Sequence, residues 1–298
     1  MFGKLALAAL ALLSLGAAPA PLTDRPGASK DIANACGTRD GWADPAPPAH
    51  IHGQTWYVGT CGITVVLVDT GAGLVLIDTG PKEAVPHVLA NIRAMGFEPR
   101  RIRWILSTHE HFDHVGGLAA MQRETGADLV VGPFIGNALR SGQPFRDDPQ
   151  AALLKDEPMA PVKVSRTLRD NGSLFTSEPR FTAHATPTHS PGSTSWTWRS
   201  CDENGCKTIA YADSNSTISA DSYRFSDNPR RVKQAHNGLQ RIAALPCDIL
   251  ITPHPGGSDL LERLSGRGAL ADAGACKAYA ESGMKRLDQR LAREGQAK

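Results

Sequence analysis

The sequence predicts an α/β protein in which two sheet-plus-helix layers pack together as one sandwich, in a single domain. Three observations lead there. Strand-like segments give way to helix-like segments twice, once in each half of the chain. No shift in composition marks a second domain. Three separate turns, each directly after a strand, carry metal-ligand side chains: 109–114, His189 and His254. At 298 residues the chain is long enough for a substantial core, and its 41% hydrophobic and 21% charged residues are ordinary globular values. A formal net charge of +2 argues against nucleic acid or an anionic membrane surface as a partner.

The first segment reads as a secretory signal peptide over residues 1–20. Lys4 supplies the positive end, Leu5 to Gly16 the apolar stretch, and Ala18-Pro19-Ala20 a small-residue cleavage site. Cleavage after Ala18 is the alternative, because Pro21 is an awkward residue just past the cut. The apolar stretch is too short and too Ala-rich for a membrane span, and nothing later resembles one. The expectation is an exported, periplasmic protein, with the mature domain over 21–298 acting as a monomer.

From Ala20 to about Pro48 the chain is rich in Pro, Gly, Asp and Ala and reads as an extended arm. Strands are expected over 55–59, 63–68 and 73–78, with Gly71 and Gly73 turning the last two into a hairpin. Val85, Val88, Leu89 and Ile92 fall on helical spacing within 83–95, ending at Gly96. A strand over 102–107, a helix reaching about Thr125 and a short strand over 128–131 follow. Residues 141–164 are Pro-rich, polar and weakly periodic. Surface decoration and a role in substrate binding are both open for that loop. The second half gives strands over 181–185, 196–198 and 207–212, a helix over 230–244, a strand over 248–251 and a C-terminal helix over 277–293. In that last helix Tyr279, Met284, Leu287 and Leu291 share one face.

The run His109-Glu110-His111-Phe112-Asp113-His114 is the most informative in the chain. An apolar strand that ends in imidazoles and a carboxylate, just before a helix, is a good place to hold a divalent metal. A lone His189 or His254 would be an ordinary structural histidine. Both, however, follow a strand and a proline (Pro187 and Pro253), and ligands gathered from several strand ends onto one rim make a rigid site. Six cysteines in an oxidising compartment favour disulfides over zinc thiolates. Cys201 and Cys206 are placed to close a small loop, with a zinc knuckle as the rival. Cys36, Cys61, Cys247 and Cys276 remain, and spacing alone does not select among their pairings.

These motifs resemble the metallo-β-lactamase superfamily: H-x-H-x-D-H, later single histidines, and the early Leu76-Ile77-Asp78-Thr79-Gly80. More narrowly the chain is similar to subclass B3, closest to members with three disulfides. Tyr57-Val58-Gly59-Thr60, Asn91 to Phe97, Ser107-Thr108-His109, Tyr211-Ala212-Asp213-Ser214 and Thr252-Pro253-His254-Pro255 carry that likeness over nearly the whole mature chain. The resemblance implies a four-layer αββα sandwich and bridges Cys36–Cys61, Cys201–Cys206 and Cys247–Cys276. It implies two Zn2+ ions, the first held by His109, His111 and His189, the second by Asp113, His114 and His254. Asp113 is then also a catalytic residue, and Ser214 and Ser216 match positions that bind the substrate carboxylate or a zinc-bound water. The implied reaction is opening of a small-molecule β-lactam (penicillins, cephalosporins, carbapenems) by a metal-bridging hydroxide, a carbapenemase activity associated with antibiotic resistance.

Two departures from the pattern stand out: Asn215 where leucine is expected, and Thr188 where glycine is more frequent. Ser226-Asp227-Asn228 and Ser282-Gly283-Met284-Lys285 mimic serine β-lactamase motifs, but in reverse order and without the accompanying K-T-G. The alternative function is another hydrolase of the same fold, such as a lactonase or thioesterase. Many of those bridge their metals with an aspartate near Asp213. Because side chains alternate along a strand, only one of Asp213 and Ser214 can face the metals.

Overall fold

The computed structural model describes residues 25, 27–155 and 159–296. The expected signal peptide and its cleavage site lie outside the described residues. Among the described residues, no helix is long and apolar enough to cross a membrane.

Two sheets form the centre. The first runs in the order β1 (Ala49–His52), β2 (Thr55–Tyr57), β3 (Val66–Asp69), β4 (Leu74–Ile77), β5 (Ile102–Leu106), β6 (Asp128–Val131) and β7 (Val164–Thr167). The second contains β8 (Ser173–Leu174), β9 (Phe181–Ala185), β10 (Thr194–Asp202), β11 (Gly205–Tyr211) and β12 (Ile249–Ile251), with β12 at one edge beside β11 and β8 at the other. The helices are α1 (Ile32–Cys36), α2 (Val85–Ala94), α3 (Phe112–Val115), α4 (Leu118–Thr125), α5 (Gly136–Ser141), α6 (Ala151–Leu154), α7 (Pro229–Ala243), α8 (Leu260–Leu264) and α9 (Ala275–Gln296).

Strand alternation sorts the side chains into layers. Val66, Val68, Val75 and Ile77 of the first sheet meet Trp196, Trp198, Ile209, Tyr211 and Ile251 of the second in one shared core. Leu67, Leu74 and Leu76 point the other way, onto Val88 and Ile92 of α2 and Leu118 and Met121 of α4. On the far side Ala210 and Leu250 face Ile242 of α7 and Tyr279 and Ala280 of α9. The result is the helix–sheet–sheet–helix sandwich. Trp196 is fully buried between the sheets, and its indole N–H donates to Ser107 O (2.9 Å), so the core reaches to two residues before the histidine-rich run. Truncating such a side chain costs about 3–5 kcal/mol.

Topology aims the loops. β4, β5 and β6 are parallel, so the turns after Ile77 and Leu106 leave from the same rim. In the second sheet β9 and β11 both run antiparallel to β10, and β12 runs parallel to β11. The turns that follow β9, β11 and β12 therefore also share a rim, the usual position for a site in α/β sheets.

All three disulfides implied by the resemblance are present: Cys36–Cys61, Cys201–Cys206 and Cys247–Cys276, with no free cysteine. Cys201 and Cys206 are register partners across the β10–β11 hairpin, which removes the zinc knuckle from consideration. Four local differences from the sequence expectations appear. The arm is not wholly extended, because Asp31 caps α1 by accepting from Asn34 N (3.1 Å) and Ile32 is fully buried. The expected strand over 63–68 begins only at Val66, with Ile63 to Val65 buried but outside the ladder. The 141–164 loop contains α6, and a hairpin strand, β1, precedes the first expected strand.

Candidate metal centre

Four loops converge on the rim. The turn after β5 brings His109, His111, Asp113 and His114, all buried. The turn after β9 brings His189, the one after β11 brings Asp213 to Ser216, and the one after β12 brings His254. His109, His111 and His189 form one group and His109, Asp113 and His114 another, each with candidate ligand atoms within 4.8 Å of one another. His254 falls outside those two groups. It joins through Asp113, whose Oδ2 lies 3.3 Å from His254 Nε2 and 3.1 Å from His114 Nε2.

Each of four imidazoles is held from behind by one nitrogen. His109 Nδ1 meets Asp213 Oδ1 at 2.9 Å, and His111 Nε2 meets Asp148 Oδ2 at 2.9 Å. His189 Nδ1 meets Ser216 Oγ at 2.9 Å, and His254 Nδ1 meets Gly62 O at 3.1 Å. Such outer partners fix the tautomer and leave the opposite nitrogen free as a ligand. His111 Nδ1 and His189 Nε2 accordingly lie 3.1 Å apart.

Three buried nitrogens, His109 Nε2 and both nitrogens of His114, have no hydrogen bond. Orphaned buried polar atoms are rare without a reason. An imidazole-rich donor set with one carboxylate suits a divalent metal of zinc type, so the residues fit the group. Burial alone would lower His111 and His114, but Asp148 and Asp113 outweigh it and raise both; at the other two buried histidines the electrostatics favour metal binding. Burial, reinforced by neighbouring histidines, holds His109 and His189 well below their ordinary value, keeping them in the neutral form that binds metals. Burial alone would raise Asp113, but the imidazoles of His114, His254 and His109 keep it well below the usual carboxylate range.

Asp78, at positive φ of 61°, anchors the start of the histidine run. Its carboxylate accepts from Thr108 N (2.8 Å), Thr108 Oγ1 (2.7 Å) and Tyr211 Oη (3.1 Å). Glu110 is buried but turned aside: Oε2 accepts from Ser190 Oγ (2.8 Å), stitching the 109–114 turn to the residue after His189. Gly192 is required there, since a Cβ would sit 2.3 Å from Glu110 Oε2.

The two departures have local explanations. Thr188 fits because Gly238 of α7 faces it, where a Cβ would come within 2.4 Å of Thr188 Oγ1. Arg231 of the same helix donates to Pro187 O (2.8 Å) and Thr188 O (2.6 Å), fixing the turn that presents His189. Asn215 is buried against α9. The sequence reading missed Asp148, Gln150 and Arg231. Gln150 Nε2 reaches His189 Nε2 at 3.3 Å and His111 Nδ1 at 3.5 Å. Nothing in the text separates Asp148 from the exposed Asp147 beside it, and only the fold turns one inward. Of the residues expected at the site, Ser214 is buried and lies 3.0 Å, Oγ to Oγ, from the half-buried Ser216.

A two-sheet αββα sandwich with a histidine-rich, carboxylate-backed cluster on its rim defines a metal-centred protein. Residues 58–202 match the family model of the metallo-beta-lactamase superfamily. Among solved structures, the metallo-β-lactamase MIM-1 from Novosphingobium pentaromativorans is 51% identical, with a TM-score of 0.88 over 90% of this chain and 99% of that one. MEM-A1, a subclass B3 metallo-β-lactamase from a soil metagenome library, is 36% identical, with a TM-score of 0.79 over 87% of this chain and 100% of that one. A probable metallo-hydrolase of Burkholderia pseudomallei is 26% identical over 172 residues, 52% of this chain. The chain spans about half of that relative's length (49%) and less of the other curated relatives. The chain belongs to the metallo-β-lactamase superfamily.

Proposed function

We propose that this protein is an exported di-zinc β-lactamase of the B3 type, opening the lactam amide of penicillins, cephalosporins and carbapenems. The observation that carries this reading is the position of Asp213. Its Oδ1 takes the rear nitrogen of His109, and the next residue, Ser214, connects through Ser216 Oγ to the rear nitrogen of His189. A bridging role for Asp213, the pattern that favours lactonase or thioesterase chemistry, would rest on its other oxygen, Oδ2, which is buried without a hydrogen bond; the placement of Oδ1 behind His109 is what favours the lactamase reading.

In this reading His109 Nε2, His111 Nδ1 and His189 Nε2 hold one zinc, and Asp113, His114 and His254 Nε2 the other. Bound zinc supplies Lewis acidity towards the lactam carbonyl and lowers the pKa of water to about 7, which provides a nucleophile at neutral pH. The protein's part is preorganisation. Asp213, Asp148, Ser216 and Gly62 O lock the four imidazoles in orientation, so little reorganisation accompanies reaction. Asp113 lowers the net charge of its half of the site. Ser216 Oγ accepts from His189 Nδ1 and so keeps its own proton to give to Ser214, which leaves the Ser214 hydroxyl free to donate to a substrate carboxylate.

The test is hydrolysis of a penicillin and a carbapenem by the purified mature protein supplied with zinc, with and without chelator. Turnover of both that chelator abolishes is expected. Absence of turnover with metal bound would overturn the reading and turn attention to lactones and thioesters.

A further inference from the structure

Residues 212–220, which carry both serines, have no regular secondary structure. Their main chain makes few backbone hydrogen bonds: Ala212 N to Ile251 O (2.9 Å) at the start, and Ala220 N to Pro149 O and Tyr223 N to Ala220 O (both 3.0 Å) at the end. A segment so sparsely tied would ordinarily open easily.

One face of α9 supplies the missing restraint. Asn215 N donates to Tyr279 Oη (3.0 Å), and Asn215 Nδ2 donates to Tyr279 O (2.6 Å) and Ser282 Oγ (3.1 Å). Asn215 Oδ1 accepts from Arg286 Nη2 (2.5 Å), so the buried amide is fully satisfied. One turn further on, Arg290 donates to Thr217 O (2.5 Å), Ser219 Oγ (2.6 Å) and Tyr223 O (3.2 Å), while Glu294 (2.7 Å) and the Phe225 ring (4.7 Å) fix its guanidinium. Residues 279, 282, 286 and 290 recur at helical spacing. Gly283 lets the loop come close, since a Cβ there would lie 2.8 Å from Asn215 O. The first turn of α9 is itself tied to the residues before β12 by Cys247–Cys276.

We propose that α9 is a positioning splint for the serine loop, with Asn215, Arg286 and Arg290 as positioning residues that set where Ser214 meets substrate. The proposal rests on the β-lactamase reading only for the identity of that substrate. None of the three residues contacts a candidate metal ligand directly, but the loop they hold also carries Asp213 and Ser216 behind His109 and His189, so metal content is measured in every variant and the kinetics are compared at full occupancy. The leucine expected at position 215 would fill the space and keep the main-chain bond to Tyr279 Oη, but it would satisfy none of the three side-chain partners, Tyr279 O, Ser282 Oγ and Arg286.

The test compares wild type with Asn215→Leu, Arg290→Gln and the conservative Arg290→Lys, all at saturating zinc. Amide hydrogen exchange is followed by mass spectrometry on peptides covering 212–223 and, as a control, 102–116. Steady-state kinetics are measured on the β-lactam that the wild type turns over. Asn215→Leu and Arg290→Gln are expected to speed exchange in 212–223 alone and to raise KM about tenfold with kcat little changed, the factor for one lost substrate hydrogen bond. Arg290→Lys is expected to recover part of the KM. Exchange and KM at wild-type levels in both variants would overturn the splint, as would a fall in kcat at unchanged KM. Should Asn215→Leu fail to fold, Arg290→Gln decides alone. An inactive wild type would count against the β-lactamase reading, while the exchange data still decide whether α9 orders the loop.

Discussion

Asp213 Oδ1 stands 2.9 Å from His109 Nδ1, and both side chains are almost wholly buried. Two sheets meet in that contact, since His109 follows β5 and Asp213 follows β11. Burial raises the Asp213 carboxyl above its ordinary value, eased by His189 and hydrogen bonds, so the pair is a desolvated hydrogen bond rather than a surface ion pair. Asp213→Asn keeps the shape but changes what the amide offers to Nδ1. Metal affinity at the His109 group is expected to fall about 10- to 100-fold, measured by competition with a chromophoric chelator. Unchanged affinity would remove Asp213 from the support of the centre.

Asp148 plays the same part for His111 from a loop whose role the sequence leaves open. Asp148→Ala is expected to weaken metal binding by a similar factor of about 10–100, and Asp147→Ala, its exposed neighbour, to leave binding unchanged. Equal effects from the two variants would mean that loop order, not the carboxylate, matters.

Asp113→Ala is expected to lose turnover by more than about tenfold while the protein stays folded by circular dichroism. Asp113 Oδ2 lies near both His114 and His254, and no other carboxylate among the described residues faces that pair as closely. Near-normal activity would take Asp113 out of the site.

Reduction of the disulfides is expected to lower the melting temperature without releasing metal, since all six cysteines are paired and none lies in either ligand group. Cys36–Cys61 and Cys247–Cys276 span separations of 25 and 29 residues, and loops of that size are worth on the order of 2–4 kcal/mol each. Metal loss in step with reduction would contradict this.

A pH effect follows from Asp170. Burial alone would raise its carboxyl, but Ala185 N–H and the Arg241 guanidinium (2.5 and 2.7 Å) outweigh that and hold it below the ordinary value. A carboxyl depressed in the folded state stabilises above its unfolded pKa and loses that contribution as pH falls through the folded value. Asp170→Asn should therefore flatten the stability curve below about pH 4. The change is expected to be modest, about 1 kcal/mol or less, because the pair is partly exposed. Denaturant midpoints measured across pH check it, and an effect confined to neutral pH would contradict it.

Much of the fold is legible because period-2 and period-3.6 patterns record which face is buried. The strand over 128–131 and that over 181–185 match β6 and β9. The run at 109–114 is legible because its chemistry is local. What escapes the text is whatever depends on a contact between distant segments. Asp148 and Arg231 acquire their roles only when 148 meets 111 and 231 meets 187 and 188. Asn215, an oddity in the sequence, is explained by Tyr279, Ser282 and Arg286 some seventy positions on. Helix α1 is hidden because Pro- and Gly-rich composition says little about five residues held by a cap and a disulfide.

The most direct test of the central claim is a crystal structure of the zinc-loaded protein with anomalous data at the zinc edge. Two zinc peaks are expected, one bonded to His109 Nε2, His111 Nδ1 and His189 Nε2, the other to Asp113, His114 and His254, with Asp213 remaining on His109 Nδ1. A single peak, or a metal ligated by the Asp213 carboxylate, would contradict the account and favour the lactonase-like alternative.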